Sequence, residues 1–295
     1  MCGVNDVTDP WTTPLPELVD LLQLTTLDED HFEGGQSRAS VVSNHVFGGL
    51  VAAQAVVAAT RTVPDARAIH SLHTYFVRPG DPHEPITFVA ERVRDGRSVS
   101  HRRVSARQHG RAIMEMSCSF TDPRPGVEHQ VSMPAAPPPE SVRPDTDVIR
   151  EIGEVTSPYG SSPDAFDLRT VGLGPGWFRT QAPVDQPTLQ WVRAAGPVPD
   201  DPALHAALFT FASDMRILHP AVRPHARALY DDDVIPATID HAVWFHRPPR
   251  VDEWMLWVYD SPWAGSSRAL CRASVHTPDG VMIASAAQEG LLRIG

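Results

Sequence analysis

Apolar positions recur along the chain with two different periods. In DPALHAALFTFASDMRIL, Leu204, Leu208, Phe211, Met215 and Leu218 follow a 4, 3, 4, 3 spacing. That is one stripe of an α-helix, with Asp200 or Asp201 placed to cap it and Pro202 in its first turn. VFGGLVAAQAVVAAT (residues 46–60) is apolar or small almost all round, which predicts a helix buried on most faces. Its Gly48 and Gly49 lower helix propensity but permit close backbone approach. Elsewhere the period is two. Ala112, Met114, Met116, Cys118 and Phe120 alternate with Ile113, Glu115, Ser117 and Ser119, which predicts a strand with one apolar face. PITFVAERV, SVSHRRVSARQ, WMLWVYDS and SRALCRASVHT behave similarly. Asp95-Gly96 and Asp279-Gly280 supply turns between strands. PELVDLLQLTTL predicts a short N-terminal helix.

The elements occur twice in the same order. Tyr75-Phe76-x-Arg78-Pro79 returns as Trp244-Phe245-x-Arg247-Pro248, an offset of 247 − 78 = 169. At that offset Gly96-Arg97-Ser98 meets Gly265-Ser266-Ser267. His109-Gly110 meets Asp279-Gly280 after one inserted residue. Such self-similarity signals two copies of one structural unit. Each copy reads as a helix followed by about four antiparallel strands. A curved sheet wrapped around the helix is the simplest way to bury a helix that is apolar all round. The chain is therefore expected to be α+β, with an N-terminal unit over residues 1–121 and a C-terminal unit over 190–295. Residues 122–189 form a proline-rich linker, in which PAAPPPESVRP disfavours helix and central strand alike. LQWVRAA is the one candidate strand near its end.

Composition narrows the function classes. The 295 residues include 42% hydrophobic side chains, enough for a sizeable core. The formal net charge of −11 argues against a nucleic-acid partner. All 25 basic residues are Arg, so lysine Schiff-base chemistry is excluded. GGLVAAQAVVAAT is too short to span a bilayer, so no membrane association is expected. MCGVNDVTDPW lacks the features of a signal peptide, and a cytoplasmic location is the expectation. Cys2, Cys118 and Cys271 are too few and too far apart for a disulfide framework or a metal site. The latter two lie in strand-like runs, as small buried residues do. Pairs such as His70/His73 and His241/His246 are an odd number of residues apart, which sends them to opposite strand faces. No G-x-S-x-G elbow, phosphate loop or dinucleotide fingerprint is present.

Candidate chemistry emerges where the two copies differ. Positions alike in both copies serve the fold, whereas a polar residue unique to one copy needs another reason. Asp214 lies at the border of the apolar stripe, where copy one offers Ala58 or Ala59. It is either a functional carboxylate or a flank acid, solvated or paired with an arginine such as Arg216. Gln288 aligns with Ser119 (288 − 169 = 119) and shares a strand face with Met282, Ala284 and Ala286. It is either an edge-strand amide or a group that holds a water or a carbonyl. Thr238 aligns with Ile69 and is either a good strand former or a hydroxyl put there for use.

The motifs HVFGGLVAAQAVVAA, IHSLHTYFVRPGD, VRDGRSVSHRRVSA, DDPALHAALFTFASDMRIL, ATIDHAVWFHRP and SAAQEGLLR together resemble the acyl-CoA thioesterase II family. The resemblance covers roughly residues 30–130 and 190–293. It implies a double hotdog fold, two tandem helix-in-sheet units, and hydrolysis of acyl-CoA without a cofactor. It also implies that Asp214, Thr238 and Gln288 match the family's catalytic Asp, Thr and Gln and position one attacking water. Further expectations are an oxyanion site at Gly48 and Gly49 or at the corresponding turn of the other unit, coenzyme A phosphates near Arg97, Arg102 and Arg103, which otherwise read as a solvated strand face, and homo-oligomerisation by resemblance. Leu50 stands where the family often has Gln, a departure expected to alter pocket shape. Two alternative functions remain: an enoyl-CoA hydratase or dehydratase of the same fold, and a non-catalytic acyl-CoA binder.

Overall fold

A computed structural model describes residues 13–44, 46–64, 67–122, 124–152, 165–174, 183–184, 186–229, 231 and 233–295. Cys2 and the rest of the N-terminal stretch lie outside the described residues, as does part of the expected linker. The first unit contains α1 (Leu15–Leu21), β1 (Thr25–Thr26), β2 (His31–Gly34), α2 (Arg38–Ser43), α3 (Gly48–Thr60), β3 (Ala68–Phe76), β4 (Ile86–Asp95), β5 (Val99–Gln108) and β6 (Arg111–Thr121). Then come α4 (Asp145–Ile152), β7 (Phe166–Thr170) and β8 (Thr188–Ala194). The second unit continues with α5 (Pro202–Met215), α6 (His219–Val222), β9 (Val234–Thr238), β10 (Asp240–Phe245), β11 (Met255–Gly265), β12 (Arg268–His276) and β13 (Met282–Ile294).

The strands form one antiparallel sheet in the order β1-β2-β4-β5-β6-β3-β10-β13-β12-β11-β8-β7, with β9 also paired to β13. This order is nearly symmetric about its centre, where β3 pairs with β10. The register there sets His73 opposite Ala242. These are equivalent positions of the repeat, since 73 + 169 = 242. The two copies are thus related by a pseudo-two-fold axis through that pair, as the expected double hotdog requires.

Each long helix is buried by its own half of the sheet. In α3, ten of thirteen residues are buried, Gln54 among them. Gln54 satisfies its amide nitrogen by donating Nε2 to Leu21 O and Gly35 O, both at 3.0 Å. In α5, Asp201 is the N-cap, accepting from Ala203 N at 2.9 Å, and Pro202 follows it. The helix stops at Met215, so Leu218 continues the apolar stripe from a turn rather than from the helix itself. The first turn of α3 sits on the last turn of α5. A Cβ built on Gly49 would lie 2.8 Å from Phe211 O and 2.5 Å from the Phe47 ring. Phe47 and Phe211 meet edge-on with centroids 5.0 Å apart.

Residues 122–189 do more than link the units. The proline run is extended, apart from a short 3-10 turn at Pro139–Ser141. Beyond it, α4 anchors through the buried Asp145, whose carboxylate accepts from Thr170 N, Thr170 Oγ1 and Gln190 Nε2 at 2.6–3.1 Å. Burial pushes the Asp145 carboxyl up, against the pull of Arg216 and these donors. β7 and the start of β8 also fall within 122–189 and extend the second unit's edge of the sheet. Cys118 and Cys271 are free and buried. Burial pushes their thiols up to about 12 and about 11, so they remain protonated packing groups.

Arg102 corrects the expectation that it faces a ligand's phosphates. It is 1% exposed and points inward from β5. Its Nη2 donates to both carboxylate oxygens of Asp95 (2.9 and 3.1 Å) and to Thr62 O (2.7 Å), and its Nε donates to Thr62 Oγ1 (2.8 Å). The guanidinium ties the end of α3 to the β4–β5 hairpin. Arg102→Met is expected to lower the unfolding free energy by ~1–3 kcal/mol, because the buried Thr62 loses its charged donor, while the half-exposed Asp95 can turn to water. An unchanged denaturation midpoint would remove this role. Gly49→Ala is expected to lower the melting temperature through ~1–3 kcal/mol of overpacking. The Phe47 ring could shift, but Phe211 O is a backbone oxygen and cannot rotate away. A variant as stable as the parent would mean that α3 and α5 separate freely.

Candidate active site

The site grows out of an irregularity in the sheet. Thr238 in β9 is opposite Gly290, and Ala242 in β10 is opposite Ala287. Four residue steps on one strand therefore face three on β13, so there is one extra residue, a β-bulge. Bulges re-aim side chains. Here the extra residue turns Thr238 and His241 to the same face although they are three apart. Asp240 covers the gap in the ladder by accepting from Glu289 N at 3.0 Å. The same bulge occurs in the first copy: Ile69 is opposite Phe120 while Ser71 is opposite Ser119. There the two inward positions are Ile69 and Leu72, both buried.

On the inner side of the bulge four side chains form a connected chain. Gln288 Nε2 donates to Thr238 Oγ1 at 2.8 Å. Gln288 Oε1 lies 2.6 Å from His241 Nδ1, and His241 Nε2 lies 2.7 Å from Ser213 Oγ. His241 and Gln288 are each 1% exposed, and Ser213 is fully buried. Burial pushes the His241 imidazole below its usual range, with Asp214, Gln288 and Asp240 pulling the other way.

Asp214 follows Ser213 at the end of α5 and turns to the other side of the cavity wall. Its carboxylate approaches the first turn of α3, since a Cβ on Gly48 would lie 3.0 Å from Asp214 Oδ2. Asp214 Oδ1 is buried and has no hydrogen-bond partner among the described residues. Asp214, Thr238, Gln288 and Gly48 all line one cavity of about 430 Å³. Its remaining walls are largely apolar, with Val46, Phe47, Val51, Phe76, Ile113, Met114, Met215 and Leu218 drawn from both units.

The other expected residues fall elsewhere. Gly49 is buried beneath Gly48 against α5. Leu50 is 1% exposed within the core and does not line the cavity, so its departure from the family residue leaves the cavity wall unaltered. Neither Arg97 nor Arg103 lines the cavity. Arg97 is exposed at the β4–β5 turn, and Arg103 pairs with Glu91 at 3.0 Å on the sheet surface. The arginine at the cavity is Arg78, which is exposed and donates to Ala112 O at 2.7 Å. Sequence reasoning noticed Arg78 only as part of the repeat. It passed over His241 as well, although the 169-residue offset sets that histidine against Leu72. The comparison that singled out Thr238 and Gln288 was sufficient to find it.

Among the described residues no cluster of three His, Cys, Asp or Glu could hold a metal ion. The available chemistry is that of a carboxylate with an open acceptor site, a hydroxyl and a primary amide around a small space. Apolar walls beside them suit a hydrocarbon chain.

Comparison with known proteins agrees with this picture. The family model for "Acyl-CoA thioesterase" matches residues 174–291, and that for "Acyl-CoA thioesterase N-terminal domain" matches residues 36–121. Acyl-coenzyme A thioesterase 8 of Mus musculus is 36% identical over 94% of this chain and 89% of its own length. Acyl-CoA thioesterase 2 of Haemophilus influenzae is 34% identical over 95% of this chain and 98% of its own. The crystal structure of the acyl-CoA thioesterase II TesB2 from Mycobacterium marinum superposes with a TM-score of 0.77 at 36% identity, covering 94% of this chain and 98% of that one. A protein with a hot dog fold from Alicyclobacillus acidocaldarius, 22% identical, shares the fold with a TM-score of 0.76 over 94% of this chain and 98% of that one. With identity above one third sustained across both hotdog units, the chain belongs to the acyl-CoA thioesterase family and is a thioester hydrolase.

Proposed function

We propose that the cavity hydrolyses acyl-CoA thioesters by direct attack of a water positioned by Asp214, Thr238 and Gln288. The observation that carries this reading is the unpartnered, buried Oδ1 of Asp214 in a cavity whose facing wall holds Thr238 and Gln288. A thioester carbonyl is already electrophilic and a thiolate leaves readily, so no covalent nucleophile is needed. Asp214 accepts a proton as the water oxygen bonds to the carbonyl carbon. The carbonyl oxygen becomes an oxyanion and then re-forms the double bond as the C–S bond breaks. The proton held by Asp214 passes to the departing sulfur, so the products are a free acid and the thiol of coenzyme A, and the Asp214 carboxylate is restored.

Stabilisation of that oxyanion is assigned to the start of α3. Leu50 N is the first amide of the helix to find an intrahelical acceptor, bonding Phe47 O at 3.1 Å. Phe47 gives no side-chain cap. Among the described residues the amides of Gly48 and Gly49 therefore stand as uncommitted donors of a helix N-terminus. Of the two, Gly48 reaches the cavity. A side chain at Gly48 would press on the Asp214 carboxylate, which accounts for glycine there. The acyl chain is assigned to the apolar part of the cavity, and the polar end of coenzyme A to the rim at Arg78, in place of the arginines of β5. A cytoplasmic homo-oligomer active in lipid metabolism remains part of the same proposal.

His241 resembles one member of the Asp/His pair that a hydratase would need. It stands behind Gln288 and is not part of the cavity lining, which favours hydrolysis. A thiol-release assay against a chain-length panel of acyl-CoAs tests the reading, with enoyl-CoA hydration followed in parallel. Asp214→Asn is expected to keep the fold and lower kcat by roughly 10²- to 10⁴-fold, the usual contribution of a positioned general base. Unimpaired thiol release by that variant would eliminate Asp214 as the base.

A further inference from the structure

Four side chains in a row must share their hydrogens, and the count leaves little freedom. Ser213 Oγ is 2.7 Å from His241 Nε2 and 2.8 Å from Thr210 O. A hydroxyl has one hydrogen, so Ser213 donates to one of these acceptors at a time. Thr210 O already lies in the helical ladder of α5, where residue 214 supplies its N–H. His241 Nε2 has Ser213 as its hydrogen-bond partner among the described residues. Gln288 Oε1 can only accept, so the 2.6 Å contact places the ring hydrogen of a neutral His241 on Nδ1. Nε2 is then an acceptor, and the Ser213 hydroxyl serves either it or Thr210 O. Nδ1–H then donates to Gln288 Oε1, Gln288 Nε2 donates to Thr238 Oγ1, and the Thr238 hydrogen is left to point into the cavity. From His241 onward every donor in the chain faces the same way.

We propose that His241, backed by Ser213, is a positioning residue that fixes the orientation of the Gln288 amide and thereby makes Thr238 a hydrogen-bond donor to the cavity. The proposal rests on the water-activating reading of Asp214, Thr238 and Gln288 given above. It gives the two sides of the cavity opposite roles, with Asp214 accepting and Thr238 donating. With the His241 proton moved to Nε2, the amide turns over, Thr238 spends its hydrogen on Gln288, and the cavity faces two acceptors. Bonds in such a chain polarise one another, which strengthens the terminal donor. The first copy has the same bulge with Ile69, Leu72 and Cys118 at the positions of Thr238, His241 and Gln288, since Cys118 is opposite Arg102 as Gln288 is opposite Cys271; the inserted residue before Gly280 displaces Ser119 from that position. A buried histidine is therefore not something the fold requires there.

The test compares His241→Leu, His241→Asn and Asp214→Asn in steady-state thiol release, with melting temperatures alongside. Asn offers an amide N–H near the place of Nδ1, whereas Leu offers none. His241→Leu is expected to lower kcat roughly 10- to 100-fold, the value of one lost orienting hydrogen bond, with KM nearly unchanged. His241→Asn is expected to recover most of that loss. ¹⁵N NMR of the wild-type imidazole should show the neutral Nδ1–H tautomer. A folded His241→Leu enzyme with wild-type kcat overturns the proposal, and so does an Asn variant as impaired as Leu when both are folded. A ring found protonated on Nε2 overturns it too. Should the Leu variant not fold, the Asn variant and the NMR measurement decide. An active Asp214→Asn enzyme would instead remove the underlying water-activating reading. An inactive one beside an active His241→Leu would remove only the role of His241.

Discussion

The pairing of β3 with β10 is the contact on which the rest of the molecule depends. It joins two half-sheets at equivalent positions, with His73 against Ala242. A two-fold relation between the halves then makes their helices run past each other in opposite directions. The start of α3 comes to rest on the end of α5. The approach is close because Gly48 and Gly49 present no side chains to Asp214 and Phe211. Neither unit alone contains the cavity, since its walls come from both. The helix start that offers uncommitted amides belongs to the first unit, and the carboxylate belongs to the second. Sheet pairing, a backbone interaction with no chemistry of its own, thus determines that the two meet.

The bulge at the beginning of β3, and its equivalent between β9 and β10, is the second constraint. It is common to both copies, so it is a property of the architecture. In the first copy the bulge turns two apolar side chains, Ile69 and Leu72, into the core. In the second it turns Thr238 and His241 toward Gln288. One irregularity of the backbone serves packing in one half and a polar network in the other. Buried polar groups must find partners, and here each of the second copy's groups satisfies the next. Asp214 Oδ1, at the cavity, stands outside this network and has no partner among the described residues.

The repeat, both long helices and most of the strands were legible in the sequence because each rests on a local period. The register of the repeat was legible through the first strands and singled out Asp214, Thr238 and Gln288, but the residue inserted before Gly280 shifts the last strand by one, so Gln288 falls on Cys118 and not on Ser119. What escaped had non-local causes. Arg102 and Arg103 are adjacent arginines on one strand, and simple polarity does not say which is inside. The offset did say, since Cys271 is the partner of Arg102 (271 − 169 = 102) and is fully buried. His241 was set aside because strict alternation sends residues three apart to opposite faces. A bulge breaks that alternation and leaves no mark in the local pattern. Of the strands that reach into 122–189, β8 was legible as LQWVRAA, whereas β7 was hidden: it has only five residues, and seventeen residues that include prolines separate it from β8. Arg78 looked like a repeat landmark, and only the assembled halves show that it borders the cavity.

A symmetric framework carries a cost for a site that must treat its two sides differently. The reaction proposed here needs one group that takes a proton and another that offers one. Two identical halves would supply like groups facing like groups across the axis. The chain escapes this by keeping the backbone symmetric and confining the asymmetry to a few side chains. Ile69, Leu72 and Cys118 in the first copy are replaced by Thr238, His241 and Gln288 in the second, and the directed hydrogen bonds lie entirely within the second half. The first half contributes what symmetry cannot duplicate in the same place, a bare helix start and the apolar side chains of β3 and β6. Polarity along the chain from His241 to Thr238 is what turns a pseudo-symmetric cavity into one with an accepting side and a donating side.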